Sequence, residues 1–231
     1  MENKTAFLLD ADETVLDFIR SSKESILSAM SMAGLSAIEG EYALFKRIND
    51  GLWREYERGE VSKARLVVER FARLFEQTGV SADPASVNRI YFTTLSRTGY
   101  LLPGADEFLT ALSACGKVFL VTNGTPAAQY GRLDALGIRG RFDGIFVSDE
   151  IGYAKPDRRF YEYVFSHTGL CAEDCLVIGD SLSSDIRGAN NAGIESIWYA
   201  PNGGKPEGAV PDHIARSYTD ILSVVKDRIK R

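Results

Sequence analysis

The 231-residue chain is poor in cysteine and histidine and carries no surplus of positive charge. Its three cysteines, at 115, 171 and 175, are an odd number with no pair of histidines near them. A zinc site needs a second ligand pair, so buried or half-buried thiols are expected instead. His167 and His213 stand alone, which suits surface or structural roles. No apolar run approaches the roughly 18–20 residues of a membrane span, so no membrane partner is expected. The first apolar run begins by residue 5, leaving no room for a signal peptide, and a cytoplasmic location is the default. Lysine and arginine number 27 against 32 acids, a net charge of −5. Proteins that hold nucleic acid polymers are usually basic, so that partner is excluded while a single phosphate is not. Internal repeats, low-complexity tracts and long linkers are absent. No feature sets the oligomeric state.

What is present suits a soluble globular chain, with 45% apolar and 26% charged residues. At roughly 150 residues per domain, the length falls between one domain and two. Short apolar runs recur at Lys4–Asp10, Lys117–Thr122, Phe142–Val147, Asp174–Gly179 and Glu195–Tyr199. Unbroken runs of this kind suit strands covered on both faces, as in a parallel sheet. Helical patterns separate them: Ala127–Leu136 ended by Gly137, Asp157 to Gly169, Ser183–Ala192 before Gly193, and Thr219 to about Lys230. Asp157 and Ser183 are candidate N-caps, and the glycines are candidate stops. Strand alternating with helix predicts an α/β fold with a Rossmann-like, doubly wound parallel sheet.

Residues 15–99 break the alternation and contain no convincing strand. Val15–Met32 is helical, with Leu16, Ile19, Ile26, Leu27 and Met30 recurring at helical spacing. Glu41–Glu57 is a second helix, Ser62 caps a third, and Asp83-Pro84 opens a fourth with proline at the first helical position. The domains are therefore an α/β core of 1–14 and 100–231 and a helical insertion of 15–99. The insertion carries a net charge of +1 and the core −6.

In an open α/β sheet, ligands bind beyond the carboxyl ends of the strands. Those ends read Asp10-Ala11-Asp12, Thr122-Asn123-Gly124, Ser148-Asp149 and Gly179-Asp180. Residues two apart on a strand share a face, so Asp10 and Asp12 should join Asp180 in one acidic cluster. Clustered carboxylates repel, so a cation is expected, and oxygen ligands alone suit Mg²⁺. Taken singly, each segment has a plain alternative in turn or cap chemistry. Their order, each closing a strand or the loop after it, is what carries the signal.

The four segments resemble the four motifs of the haloacid dehalogenase superfamily. Leu9-Asp10-Ala11-Asp12-Glu13-Thr14 resembles the first, Val121-Thr122-Asn123-Gly124 the second, Ala154-Lys155-Pro156-Asp157 the third, and Gly179-Asp180-Ser181 through Asp185 the fourth. A helical insert after the first motif resembles the cap of subfamily I. The resemblance implies that Asp10 is a nucleophile forming an aspartyl-phosphate. Asp12 would protonate the leaving oxygen, activate water and lend a backbone carbonyl to Mg²⁺. Thr122 and the Asn123 backbone would hold phosphate oxygens, and Lys155 would neutralise charge. Asp180 would complete the metal shell, with Asp185 acting on the metal through a water. Haloacid dehalogenases lack an acid two residues after the nucleophile, because a halide leaves without a proton. Asp12 therefore favours a phosphatase.

Asn49 through Gly59, Arg70-Phe71, Asp10–Thr14 and Trp198 through Pro211 are similar to bacterial pyrimidine 5′-nucleotidases. That similarity implies a small phosphate ester as partner, namely a nucleoside monophosphate such as UMP or TMP. Trp53 and Arg70 are then candidate substrate contacts, although aromatics at the spacing of Trp53, Tyr56 and Phe71 more often form a helical core, and Arg70 suits an ordinary ion pair. A sugar-phosphate or phosphoglycolate phosphatase is the alternative enzyme, and a non-catalytic phosphate-sensing scaffold is the remote one.

Overall fold

The computed structural model describes residues 5–35 and 40–230, so Lys4, at the head of the first expected run, lies outside it. The chain forms two compact units. One comprises the residues up to Asp17, Tyr100–Pro126 and those from Leu136 onward; the other comprises Phe18–Gly99 and Ala127–Ala135.

The first unit is built on six parallel strands: β1 (Ala6–Leu9), β2 (Lys117–Thr122), β3 (Gly144–Val147), β4 (Cys175–Gly179), β5 (Glu195–Tyr199) and β6 (His213–Ala215). Their spatial order is β3-β2-β1-β4-β5-β6. Ala6 faces Lys117 on one side and Cys175 on the other, which puts β1 at the centre. Every residue of β1 and β4 is buried, as their unbroken apolar runs require. Alternate residues Ala6, Leu8, Val121 and Val177 meet Phe160, Tyr161 and Val164 in one core layer. The winding reverses between β1 and β4, so the binding crevice of this topology falls at the ends of those two strands.

The helices of the second unit are α1 (Phe18–Met32), α2 (Glu41–Glu57), α3 (Lys63–Thr78) and α4 (Pro84–Leu95). The Ser62 hydroxyl accepts from the Arg65 N–H, and the Asp83 carboxylate accepts from Ala85 and Ser86, so both caps form as their sequences specify. The first helix starts at Phe18, three residues later than its periodicity indicates, because 11–17 folds into hydrogen-bonded turns. Ile19 and Leu27 are exposed, and Ser21, Ser22 and Ser25 turn inward with Ile26, Ala29 and Met30. The Ser25 hydroxyl donates to the Ser21 carbonyl and Ser22 pairs with Tyr91 at 2.9 Å, so small polar residues fill the inner face without stranded hydroxyls.

The remaining helices are α5 (Ala105–Ser113), α6 (Pro126–Ala135), α7 (Ser148–Ile151), α8 (Arg158–Thr168), α9 (Arg187–Ala192) and α10 (Tyr218–Ile229). Asp157 caps α8 as expected. Ser183 does not cap the next helix. That helix opens as a π-turn over Leu182–Ile186, and the Ser181 hydroxyl accepts from the Ser184 N–H. The unit boundaries also differ from 15–99. Val15–Asp17 belong with the sheet, while Ala127–Ala135 of α6 belongs with the helical unit. Ala128 joins the helical core, and a Cβ on Gly131 would collide with the Ser96 backbone. The two ends of the long insertion are joined within the first unit, where the Asp17 N–H donates to the Tyr100 carbonyl at 2.9 Å and Leu16 bridges Leu101 antiparallel.

Candidate active site

Asp10 follows β1 directly and extends its ladder, with its N–H donating to the Ile178 carbonyl at 2.9 Å. Asp180 follows β4. Lys155 sits in the loop between α7 and α8 and is 1% exposed, a burial that an ammonium tolerates only when its donors are matched. They are. Nζ donates to Asp10 Oδ1 at 2.7 Å, to Asp185 Oδ1 at 2.6 Å and to the Val121 carbonyl at 2.9 Å. Three oxygens meet the three ammonium protons, so the cation is fixed in position as well as in charge.

Carboxylate oxygens of Asp10, Asp180 and Asp185 lie within 4.8 Å of one another. This differs from the expected trio of Asp10, Asp12 and Asp180. The strand ends at Leu9, and at Ala11 the chain turns, its carbonyl accepting from the Val15 and Leu16 N–H groups. Alternation of faces therefore stops before Asp12, whose half-buried carboxylate lies outside the group. Asp185 takes the third place. Its Oδ2 also accepts the Ser181 N–H at 3.1 Å, so its observed partners are Lys155 and the backbone that follows Asp180.

The electrostatics follow from this crowding. Burial, and then the charge of Asp185, push the Asp10 carboxyl up to about 7 against the opposing pull of Lys155. Asp180 is raised well above its ordinary range by burial and by Asp10. For Lys155 burial works against the charged form, but Asp10 and Asp185 outweigh it and hold the ammonium protonated. Three acids against one ammonium leave two negative charges uncompensated when all are ionised. An all-oxygen set with that excess fits a hard divalent cation.

Other groups hold the frame. The Asn123 amide donates to the Lys155 carbonyl at 2.7 Å, and its oxygen accepts the Lys155 N–H at 2.9 Å. Beside the backbone role expected of Asn123, its side chain thus clasps the loop that carries the lysine. The Thr122 hydroxyl accepts from the Gly124 N–H at 3.0 Å. Trp198 Nε1 donates to the Asp180 carbonyl at 2.7 Å. Thr14, fully buried, donates its hydroxyl to Asp10 Oδ2 at 3.3 Å. Tyr161 is fully buried in the field of Lys155, Asp185 and Asp10. Trp198, Thr14 and Tyr161 were not among the expected site residues. Thr14 and Trp198 lie inside segments that carried a family resemblance, and only their contacts reveal what they hold.

In the helical unit, Arg70 is not a surface contact. It is 2% exposed, and its guanidinium donates to the amide oxygens of Asn49 at 3.1 Å and Asn88 at 3.0 Å. The rings of Phe45, Phe71, Tyr91 and Phe92 surround it, Tyr91 nearest at 4.5 Å. Its place is in the interior of that unit. Trp53 is half-buried, packs edge-on to Tyr56 at 5.6 Å and carries Lys63 Nζ 5.8 Å from its ring centre.

The parallel sheet and the lysine-bridged acids at its strand ends define a Rossmann-like hydrolase. The chain belongs to the haloacid dehalogenase-like hydrolases, the family it matches over residues 4–193. Within it the chain is an enzyme of the phosphatase type. It is 34% identical to the pyrimidine 5′-nucleotidase PynA of Streptococcus pneumoniae over 96% of this chain and 95% of that protein. It is 30% identical to the pyrimidine 5′-nucleotidase YjjG of Escherichia coli over 92% and 93%. The magnesium-bound crystal structure of the HAD-hydrolase YfnB from Bacillus subtilis superimposes with a TM-score of 0.90 at 30% identity, covering 96% of this chain and 98% of that one.

Proposed function

We propose that the chain is a Mg²⁺-dependent phosphomonoesterase acting through an aspartyl-phosphate, with pyrimidine nucleoside monophosphates as substrates. The observation that carries this reading is Asp10, held at one oxygen by Lys155 and at the other by Thr14, with Asp12 two residues on. Asp10 attacks phosphorus in line with the ester oxygen, and the P–O bond to the nucleoside breaks. Asp12 gives its proton to the departing alkoxide and is left as a carboxylate. Asp12 then takes a proton from water as that water attacks the aspartyl-phosphate, which frees phosphate and restores Asp10. Lys155 offsets the charge between nucleophile and phosphoryl group, and Thr122 and the Asn123 backbone hold phosphate oxygens. Asp10, Asp180 and the Asp12 carbonyl would hold Mg²⁺, with Asp185 behind a water. When bound, the ion would supply positive charge to the phosphoryl oxygens. Similarity to PynA and YjjG supports the nucleotide as substrate, and Trp53 is the candidate surface for its base.

The test is phosphate release from UMP, TMP and small sugar phosphates with and without Mg²⁺. Asp10→Asn should lower kcat by about 10³-fold or more, because it removes the nucleophile. Full activity in that variant would refute the covalent route. Faster turnover of sugar phosphates than of UMP and TMP would refute the substrate class.

A further inference from the structure

The turn between the nucleophile and the insertion is held from outside by a residue more than two hundred positions away. Tyr218, the first residue of α10, has its ring stacked between Phe108 of α5, at 4.4 Å and 10°, and Tyr199 at the end of β5, at 5.2 Å and 11°. Its hydroxyl donates to the Thr14 carbonyl at 2.9 Å. The turn it meets is tight. The Glu13 N–H donates to the Leu16 carbonyl at 2.8 Å, and Glu13 has φ +58°, a left-handed conformation that a non-glycine residue adopts only under constraint. Thr14 is the next residue, and its hydroxyl donates to Asp10 Oδ2.

We propose that Tyr218 is a positioning residue for the nucleophile: by holding the Thr14 carbonyl it fixes the turn that aims the Thr14 hydroxyl at Asp10 Oδ2. Lys155 grips the other carboxylate oxygen, so the two contacts together set the angle at which Asp10 meets phosphorus. Reaction geometry is sensitive to small displacements, and a contact outside the substrate shell can alter turnover without altering binding. The ring stack locates the hydroxyl, since a Tyr clamped on both faces has little rotamer freedom left to lose. This role rests on the phosphatase reading above.

The test is a double-mutant cycle in the full-length enzyme, assayed with Mg²⁺ and its best monophosphate. Tyr218→Phe keeps both stacks and removes the donor. It should lower kcat about tenfold with KM within twofold of wild type. Thr14→Ala should lower kcat at least as much, Thr14→Ser should restore most of it, and the double variant should be no slower than Thr14→Ala alone. A purely structural role would lower the melting temperature and give multiplicative losses. Wild-type kcat in Tyr218→Phe overturns the proposal. Should that variant fail to fold, wild-type kcat in Thr14→Ala overturns it equally. A wild-type enzyme that hydrolyses no monophosphate refutes the phosphatase reading itself, and this proposal with it.

Discussion

Gly179, the last residue of β4, leaves room for Asp185, and replacing it with alanine should dismantle the charged centre without touching a charge. A Cβ at position 179 would lie 2.7 Å from the Asp185 Cβ and closer still to its carboxylate. Real Cβ atoms do not approach so near, and β4 is paired on both sides, so Asp185 must move. Moving it breaks the 2.6 Å pair with Lys155 and the 3.1 Å bond from the Ser181 N–H, both at a side chain 1% exposed. Breaking a buried pair costs about 3–5 kcal/mol, and overpacking alone costs about 1–3. Both describe one displacement, so the expected loss is about 4 kcal/mol, a large share of a typical domain's stability of about 5–15. Urea denaturation followed in the α/β unit should show the midpoint falling by about 1.3–2 M for a slope of about 2–3 kcal/mol/M. Lys155 loses one of its three oxygens, and kcat should fall about a hundredfold or more. Pairing Gly179→Ala with Asp185→Gly removes the clashing Cβ along with the carboxylate, so stability should partly return while activity does not. If Gly179→Ala stays within 1 kcal/mol and twofold of wild type, the contact of Asp185 with Lys155 is not needed.

Two further perturbations bear on the site and on the helical unit. Asp10 is raised in the folded state, so its contribution to metal-free stability is greatest below pH 4 and is lost as pH rises through about 7. The loss amounts to at most about 4 kcal/mol. Asp10→Asn should flatten that fall, and the rise in melting temperature on adding Mg²⁺ should be larger at pH 8 than at pH 5. A wild-type advantage from Mg²⁺ that shrinks with pH would contradict the linkage. Arg70→Lys cannot span Asn49 and Asn88 and leaves a buried amide oxygen unmatched, so it should destabilise the helical unit by about 2–3 kcal/mol in thermal or urea unfolding. A change under 0.5 kcal/mol would show that the ring-lined guanidinium is dispensable.

Much of the sheet was legible because strands buried on both faces write unbroken apolar runs, and β2 and β5 occupy the ranges those runs mark. The strand β6 was not legible: it is three residues long and its Ile214 faces solvent. Nor was α5, whose N-cap is Gly104 with φ 80° and no side-chain cap to announce it. Helical spacing misled at Ile19 and Leu27, because hydrophobicity alone could not foresee that serines would line the inner face of α1. In the site, Asp10 and Asp180 were readable from strand ends, whereas the exchange of Asp12 for Asp185 in the carboxylate group was not. It depends on a chain reversal at Ala11 that carries no periodicity. Arg70 reads as a substrate contact or an ordinary ion pair because three of the four rings around it, Phe45, Tyr91 and Phe92, come from distant positions that its own neighbourhood does not show.

The joined ends at Asp17 and Tyr100 make the long insertion exchangeable in a way that α6 does not. A segment that leaves and re-enters through one hydrogen-bonded step can be lengthened, shortened or replaced at little cost to the sheet, because its ends are already joined. The helix α6 is a second, separate attachment. It begins only four residues after Thr122, yet its Ala128 and Gly131 are fitted to the helical unit. A transplanted insertion would have to arrive with a matching surface for those two small residues. Exchange of whole helical modules in such a protein is therefore constrained by a ten-residue helix that begins four residues after β2.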